Sequence, residues 1–300
     1  MAELEQIVSV SEKTIDKANS VFNWLNTPKE EARQFLIKMI NNSEDLTTEQ
    51  QLSLIYNSRK LTREYGNSKK VYEEVKKIFA NPSKEPELDD DWLHFFFDKA
   101  EKVSNKSMQL IWARLLAGEF NQPGSISRKL MHIISIMDVH SAHSFRTFSY
   151  YVLERKGLFT TNYDTDAVLI PDGFHVDSFD FLLKTEKWLN NAGFANYKEL
   201  ALDLTMNTGE LNSLENLGLV QRVPDSDCAL ALIYHTEDFK EYYLTPQNDM
   251  SFPLGIYSFT TEGRQLYDII GCTGCRGVFE IIKQYLLECK IDFRVDGDEL

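Results

Sequence analysis

The sequence predicts a mainly α fold with a smaller α+β part. Three observations predict it. Apolar residues recur at helical spacing through the first half, sharp helix signals such as Thr27-Pro28, Asn81-Pro82 and Pro123-Gly124 punctuate those runs, and after Gly157 the texture changes to short alternating segments. The chain has 300 residues, 43% of them apolar, with 19 Phe, 13 Tyr and 4 Trp. That composition fills real cores and excludes disorder over most of the length.

Three parts are expected: an N-terminal helical region over 1–82, a helical bundle over 88–155 and an α+β part over 157–300. In the first, Leu4, Ile7, Val8, Ile15, Ala18, Val21, Phe22 and Leu25 recur at helical spacing and make one apolar stripe on an exposed helix. That stripe, named by Leu4, Ile7, Val8, Ile15, Val21, Phe22 and Leu25, is the candidate surface for a protein partner or for self-association. Thr27 is expected to cap, and Pro28 to open, a helix running to about Ile40. Thr47 to Gln50 has a capping-box pattern opening a longer helical region, which Gly66-Asn67 is expected to break or bend. The acidic stretch from Ser83 to Asp91 is the linker candidate.

The bundle begins with Asp89-Asp90-Asp91, carboxylates placed where a helix N-terminus favours negative charge. Leu93, Phe96, Phe97, Ala100 and Val103 supply its inward stripe. Ser104 is expected to cap a second helix whose broad apolar face is Met108, Ile111, Trp112, Leu115, Leu116 and Phe120. Pro123-Gly124 ends it, Ser125 or Ser127 caps a third helix with Leu130, Ile133, Ile134 and Met137, and Asp138 caps a fourth through Phe145, Phe148, Tyr151 and Val152.

In the third part, Ala167–Ile170 reads as a short buried strand before the Pro171-Asp172-Gly173 turn. Helical patterns return at about 178–192 and 197–206. Next come Glu210-Leu211-Asn212-Ser213-Leu214-Glu215-Asn216-Leu217-Gly218-Leu219-Val220, alternating segments at 229–234, 242–245 and 256–260, and a helix opened by Thr261-Glu262-Gly263-Arg264. This order resembles a winged-helix arrangement. Its reading helix, near 208–217, offers Glu210 and Glu215 but no Arg or Lys, and Arg222 is the one cation near the start of the ribbon. Groove reading leans on Arg and Lys. The winged helix is therefore expected to serve packing or protein contact, with a DNA-binding regulator as the alternative.

The net charge of −14 lies almost wholly in residues 151–300, which repels phosphate backbones and disfavours non-specific nucleic-acid binding. No stretch approaches a membrane span, and Met1-Ala2-Glu3-Leu4-Glu5 is acidic where a signal peptide would be basic, so a cytoplasmic protein without membrane partners is expected. Cys228, Cys272, Cys275 and Cys289 do not suggest a disulfide framework. The lone Cys272-x-x-Cys275 stays open among buried thiols, a metal site and redox work, with buried thiols favoured. His132, His140 and His143 cluster in sequence but read as solvated or capping side chains. No nucleotide-binding, hydrolase-elbow or zincin motif occurs, so no cofactor and no enzymatic activity are expected.

The stretch Asp91-Trp92, Trp112-Ala113-Arg114-Leu115-Leu116-Ala117-Gly118-Glu119, Pro123-Gly124-Ser125 and Ser127 resembles an uncharacterised family of bacterial domains with that pattern. The likeness covers roughly residues 88–150. A weaker likeness joins the Trp112–Ala117 element to the abortive-infection alpha proteins of bacterial phage defence. The resemblance carries no catalytic residues over. Together with the lack of an enzyme signature, the resemblance leads to the expectation of a protein-binding sensor, adaptor or regulatory subunit in antiviral defence, with Trp92, Trp112, Arg114, Glu119, Pro123 and Gly124 as the motif residues. On physical grounds the motif is expected to be structural, with Glu119 accepting backbone N–H groups near Ser125–Ser127 and so locking the Pro123-Gly124 corner.

Overall fold

The computed structural model describes residues 20, 22–23, 26–42, 46–78, 89–156, 167–168, 178–222, 228–229, 231–237, 240–247, 252–253, 257–272 and 274–297. Leu4, Ile7, Val8, Ile15, Val21, Leu25 and the acidic stretch ahead of Asp89 lie outside these residues. The chain forms two compact units, Met1–Ile136 and Met137–Leu300.

The first unit is a helical bundle. A helical run over 26–41 is followed by α1 (Thr48–Ile78), α2 (Asp90–Ala100), α3 (Lys106–Asn121) and α4 (Arg128–Ile136). Helix α1 starts at the capping box the sequence spells: Thr47 N–H donates to the Gln50 side chain at 3.0 Å, and Gln50 N–H donates to Thr47 Oγ1 at 3.3 Å. Gly66-Asn67 does not break it, contrary to expectation. Asn67 is buried, and its amide donates to the Glu101 carbonyl at 2.8 Å and to Ser104 Oγ at 3.1 Å. A residue that reads as a helix breaker here ties α1 to the α2–α3 connection. The cap of α3 is Asn105 rather than Ser104, accepting from Ser107 and Met108 N–H groups.

Helix α1 packs against α3, and α2 against α4. Their core is aromatic: Trp92 stacks on Phe96 at 5.4 Å, and Phe96 meets Trp112 edge-on at 5.3 Å. Leu93, Leu115, Leu116, Leu130 and Met131 fill the space around them.

The second unit opens with α5 (Val139–Ser149), which packs on α8 (Thr208–Asn216). Val152 was expected to continue that helix, but Val152–Lys156 is strand β1. It is followed by β2 (Ala167–Val168), α6 (Ser178–Asn191), α7 (Tyr197–Leu204), α8, β3 (Val220–Arg222), β4 (Cys228–Ala229), β5 (Ala231–His235), β6 (Glu241–Pro246), β7 (Phe252–Pro253), β8 (Tyr257–Phe259), α9 (Thr261–Ile270), α10 (Arg276–Glu288) and β9 (Phe293–Gly297). Among the described residues seven strands pair antiparallel in the order β3-β8-β2-β1-β5-β6-β9, with β1 fourth in that order; β4 and β7 pair separately. Tyr242 stacks on Phe279 of α10 at 4.2 Å, and Tyr151 Oη donates to the Leu204 carbonyl at 2.7 Å.

The start of α9 is fixed by a close approach. Thr260 N–H donates to the Leu219 carbonyl at 3.1 Å, and Thr260 Oγ1 donates to the Gly218 carbonyl at 2.6 Å. A Cβ at Gly263 would run into the Leu219 carbonyl, whereas one at Gly66 in α1 would meet open space. Gly263→Ala therefore destabilises the second unit by about 2 kcal/mol or more. Gly66→Ala is expected to stabilise the first unit by about 0.5–1 kcal/mol. Denaturant unfolding of each variant checks both signs.

Candidate functional site

The motif residues meet at one corner. Asp89 caps α2, accepting from the Asp91 and Trp92 N–H groups at 2.9 and 3.4 Å, and this sets Trp92 in the first turn. Trp92 Nε1–H donates to the Ile126 carbonyl at 2.8 Å. From the last turn of α3, the buried Glu119 carboxylate accepts from Gly124 N–H at 2.6 Å and Ile126 N–H at 3.0 Å. The Ile126 residue is thus held on both polar sides, its N–H by Glu119 and its C=O by Trp92. Gly124 has φ +81°, a conformation that favours glycine, and Ser127 Oγ accepts from Leu130 N–H at 3.0 Å to start α4.

Trp112 is fully buried, and its Nε1 has no hydrogen-bond partner, so the ring contributes by its volume. Ala113 and Ala117 are buried beside it, Arg114 is half-buried, and Pro123 is exposed on the turn. The structure thus brings Trp92, Glu119 and Gly124 into one lock around Ile126, with Trp112 in the core behind it.

The remaining groups of chemical interest have structural work of their own. Asp138 caps α5, and the Ser141 N–H it accepts at 2.6 Å holds its carboxyl below the usual carboxylate range. Asn207 and Glu210 form a reciprocal capping box at the start of α8. Glu210 also lies 3.3 Å from Ser144 Oγ and 3.5 Å from His140 Nε2, so this carboxylate turns back onto its own helix start and α5 rather than outward. Glu215 pairs with Arg222 at 3.5 Å. The exposed positions left on α8 include Gly209, Asn212 and Asn216, none of them a cation.

Cys275 is half-buried at the start of α10, and burial pushes its thiol up, away from the thiolate that redox or metal chemistry uses. Its N–H donates to Tyr234 Oη at 3.0 Å, and that hydroxyl donates to the Tyr150 carbonyl at 2.8 Å. Cys272 is half-buried and Cys289 exposed. Among the described residues no three His, Cys, Asp or Glu side chains gather where they could hold a metal ion. None of the helices formed by these residues is long and apolar enough to cross a membrane.

Sequence reading misplaced the exposed apolar side chains of the leading helices. Phe22, assigned to the exposed stripe, is buried; it stacks on Tyr72 at 4.4 Å and meets Phe97 edge-on at 6.2 Å. Large apolar side chains are exposed further on instead: Phe35 (62%), Met39 (36%), Leu52 (62%) and Tyr56 (69%). The first buried residue of α1 is Ser58, so its opening ten residues contribute nothing fully buried to the core. The signal was present as apolar residues in excess of those one helix face can bury, but only packing tells which of them face out.

Residues 56–276 match one protein family, described as protein of unknown function (DUF2806). The matched span contains the whole Trp92–Ser127 motif. No curated protein and no solved structure matches the chain.

Glu119→Ala leaves the buried Ile126 N–H without an acceptor and returns the Gly124 N–H, on an exposed residue, to solvent, and is expected to cost the first unit about 2 kcal/mol. Trp92→Phe keeps most of the ring volume and frees one carbonyl, a loss of about 1 kcal/mol. Unfolding midpoints of the two variants test the order, which reverses if the corner is held by packing alone.

Proposed function

The chain belongs to the family described as protein of unknown function (DUF2806), and we propose that it works by binding protein, as a non-enzymatic sensor, adaptor or regulatory subunit. The observation that carries this reading is the set of large apolar side chains, Phe35, Met39, Leu52 and Tyr56, exposed on the leading helices of the first unit. Large apolar side chains held in solvent at helical spacing, as Phe35 with Met39 and Leu52 with Tyr56 are, mark contact surfaces. Three of the four precede the matched family span. The motif itself supports the reading in a second way, because Trp92, Trp112 and Glu119 are turned inward and leave recognition to surfaces elsewhere. The proposed setting, bacterial antiviral defence in the cytoplasm, rests on the likeness of Trp112–Ala117 to abortive-infection alpha proteins.

A second reading, a winged-helix DNA-binding regulator, has one observation in its favour. Helix α8 leads directly into β3, which pairs with β8 as an antiparallel ribbon ahead of α9. Against it, Arg222 at the ribbon is engaged by Glu215 of the would-be reading helix.

Affinity purification from a bacterial host, with and without phage infection, tests the two readings together. The wild-type chain is expected to hold a stoichiometric protein partner, and Phe35→Ser with Leu52→Ser to lose most of it while keeping its fold. Salt-sensitive recovery of duplex DNA without protein moves the regulator to first place. Recovery of neither overturns both.

A further inference from the structure

Glu49, Leu52, Tyr56, Arg59 and Arg63 follow one another along α1 at alternating spacings of three and four residues, and all five are exposed. At 3.6 residues per turn this spacing places them on one face of the helix, the geometry of a coiled-coil seam. A separate stripe, with Ser58, Glu64 and Ser68 buried and Leu54, Leu61 and Tyr65 half-buried, faces the unit's own core. Helix α1 therefore carries two seams, one used internally and one turned outward. Among the described residues, Glu49, Arg59 and Arg63 enter no ion pair within the chain.

The outward seam is self-complementary when reversed. Glu49 and Arg59 are equidistant from position 54, and so are Leu52 and Tyr56. A two-fold axis passing beside position 54 thus sets Leu52 of one copy against Tyr56 of the other, and Glu49 of one against Arg59 of the other. A parallel arrangement would oppose Glu49 to Glu49 and Arg59 to Arg59. The charges select the antiparallel, isologous register and reject the other. The preceding 26–41 run repeats the polarity on its exposed residues, with Glu31 one turn before Phe35 and Lys38 one turn after it.

We propose that this face of α1 is an isologous docking surface for a second copy of the chain, closed by reciprocal Glu49–Arg59 pairs around a Leu52–Tyr56 contact. The proposal rests on the reading of these apolar side chains as a protein-contact surface and commits its occupant to the same chain. One helix seam is small beside the roughly 800 Å² per partner of a standard stable interface, so the dimer is a weak and reversible one.

The test is sedimentation of the full-length chain over a range of micromolar concentrations. The wild type is expected to pass from monomer to dimer, less readily at high salt. Glu49→Arg alone and Arg59→Glu alone each oppose like charges across the axis and weaken the dimer by about tenfold or more. The double variant restores it. Mixing the two single variants also restores it, as a heterodimer, because both contacts of the mixed pair are again of opposite sign. Far-UV circular dichroism is expected to stay unchanged, since both side chains are exposed.

A wild type that is monomeric throughout overturns the proposal, as does a dimer indifferent to both substitutions or a mixture without rescue. If such a monomer still holds a different protein that Leu52→Ser releases, the second-copy occupant is wrong and the adaptor reading stands. If it holds none, both fall.

Discussion

The first unit depends on how residue 126 is held. An α3 that ends at Asn121 and an α4 that begins at Arg128 need a connection whose buried N–H and C=O groups find partners, or each costs about 1–3 kcal/mol. Glu119 supplies a carboxylate for two N–H groups, Trp92 supplies an indole N–H for the carbonyl, and Gly124 supplies the positive φ that turns the chain between them. Because Trp92 comes from α2 and Glu119 from α3, the same hydrogen bonds that satisfy the turn also fix three helices against one another. The aromatic core behind them, Trp92 on Phe96 on Trp112, is packed in the register that this corner sets.

The second unit is ordered by backbone-to-side-chain ties of the same kind, made over longer sequence distances. Tyr234 of β5 bonds to the backbone at Tyr150 and Cys275, so one phenol joins the strand to the end of α5 and the start of α10. Thr147 Oγ1 and Tyr151 Oη reach the carbonyls at the end of α7 at 3.1 and 2.7 Å. Burial raises the Tyr234 and Tyr151 phenols well above their ordinary range, consistent with hydroxyls that hold their protons and serve as donors. Polar groups that in isolation suggest chemistry are here hydrogen-bond partners of the backbone.

The two faces of α1 differ in what they meet. From Ser58 onward the helix is pinned by Asn67, Val71, Tyr72 and Val75, while its opening turns hold their apolar side chains in solvent. Leaving Leu52 and Tyr56 exposed forgoes the burial they would gain in a core, about 1.5–3 kcal/mol for a side chain such as Leu. A contact that covers them regains part of that.

What the sequence by itself determined was local. The capping box at Thr47–Gln50, the Asp89 and Asp138 caps, the Pro123-Gly124 stop and the reach of Glu119 to the turn all join residues within seven positions of one another, so the residue types alone specify the geometry. Membership of an uncharacterised domain family was also legible, and the matched span contains these local devices only in part, the corner at Glu119–Ile126 among them. Tertiary structure decided the rest. Val152–Lys156 has two apolar residues followed by three charged ones and shows no strand alternation; it is a central strand because β2 and β5 present their edges to it. Asn67 next to Gly66 reads as a break and is a buried tie, because its partners lie on the α2–α3 connection. Phe22 and Leu52 have similar periodic surroundings, yet one is buried on Tyr72 and Phe97 and the other is exposed. Periodicity fixes which residues share a face; only the arrangement of neighbouring helices fixes which face meets water.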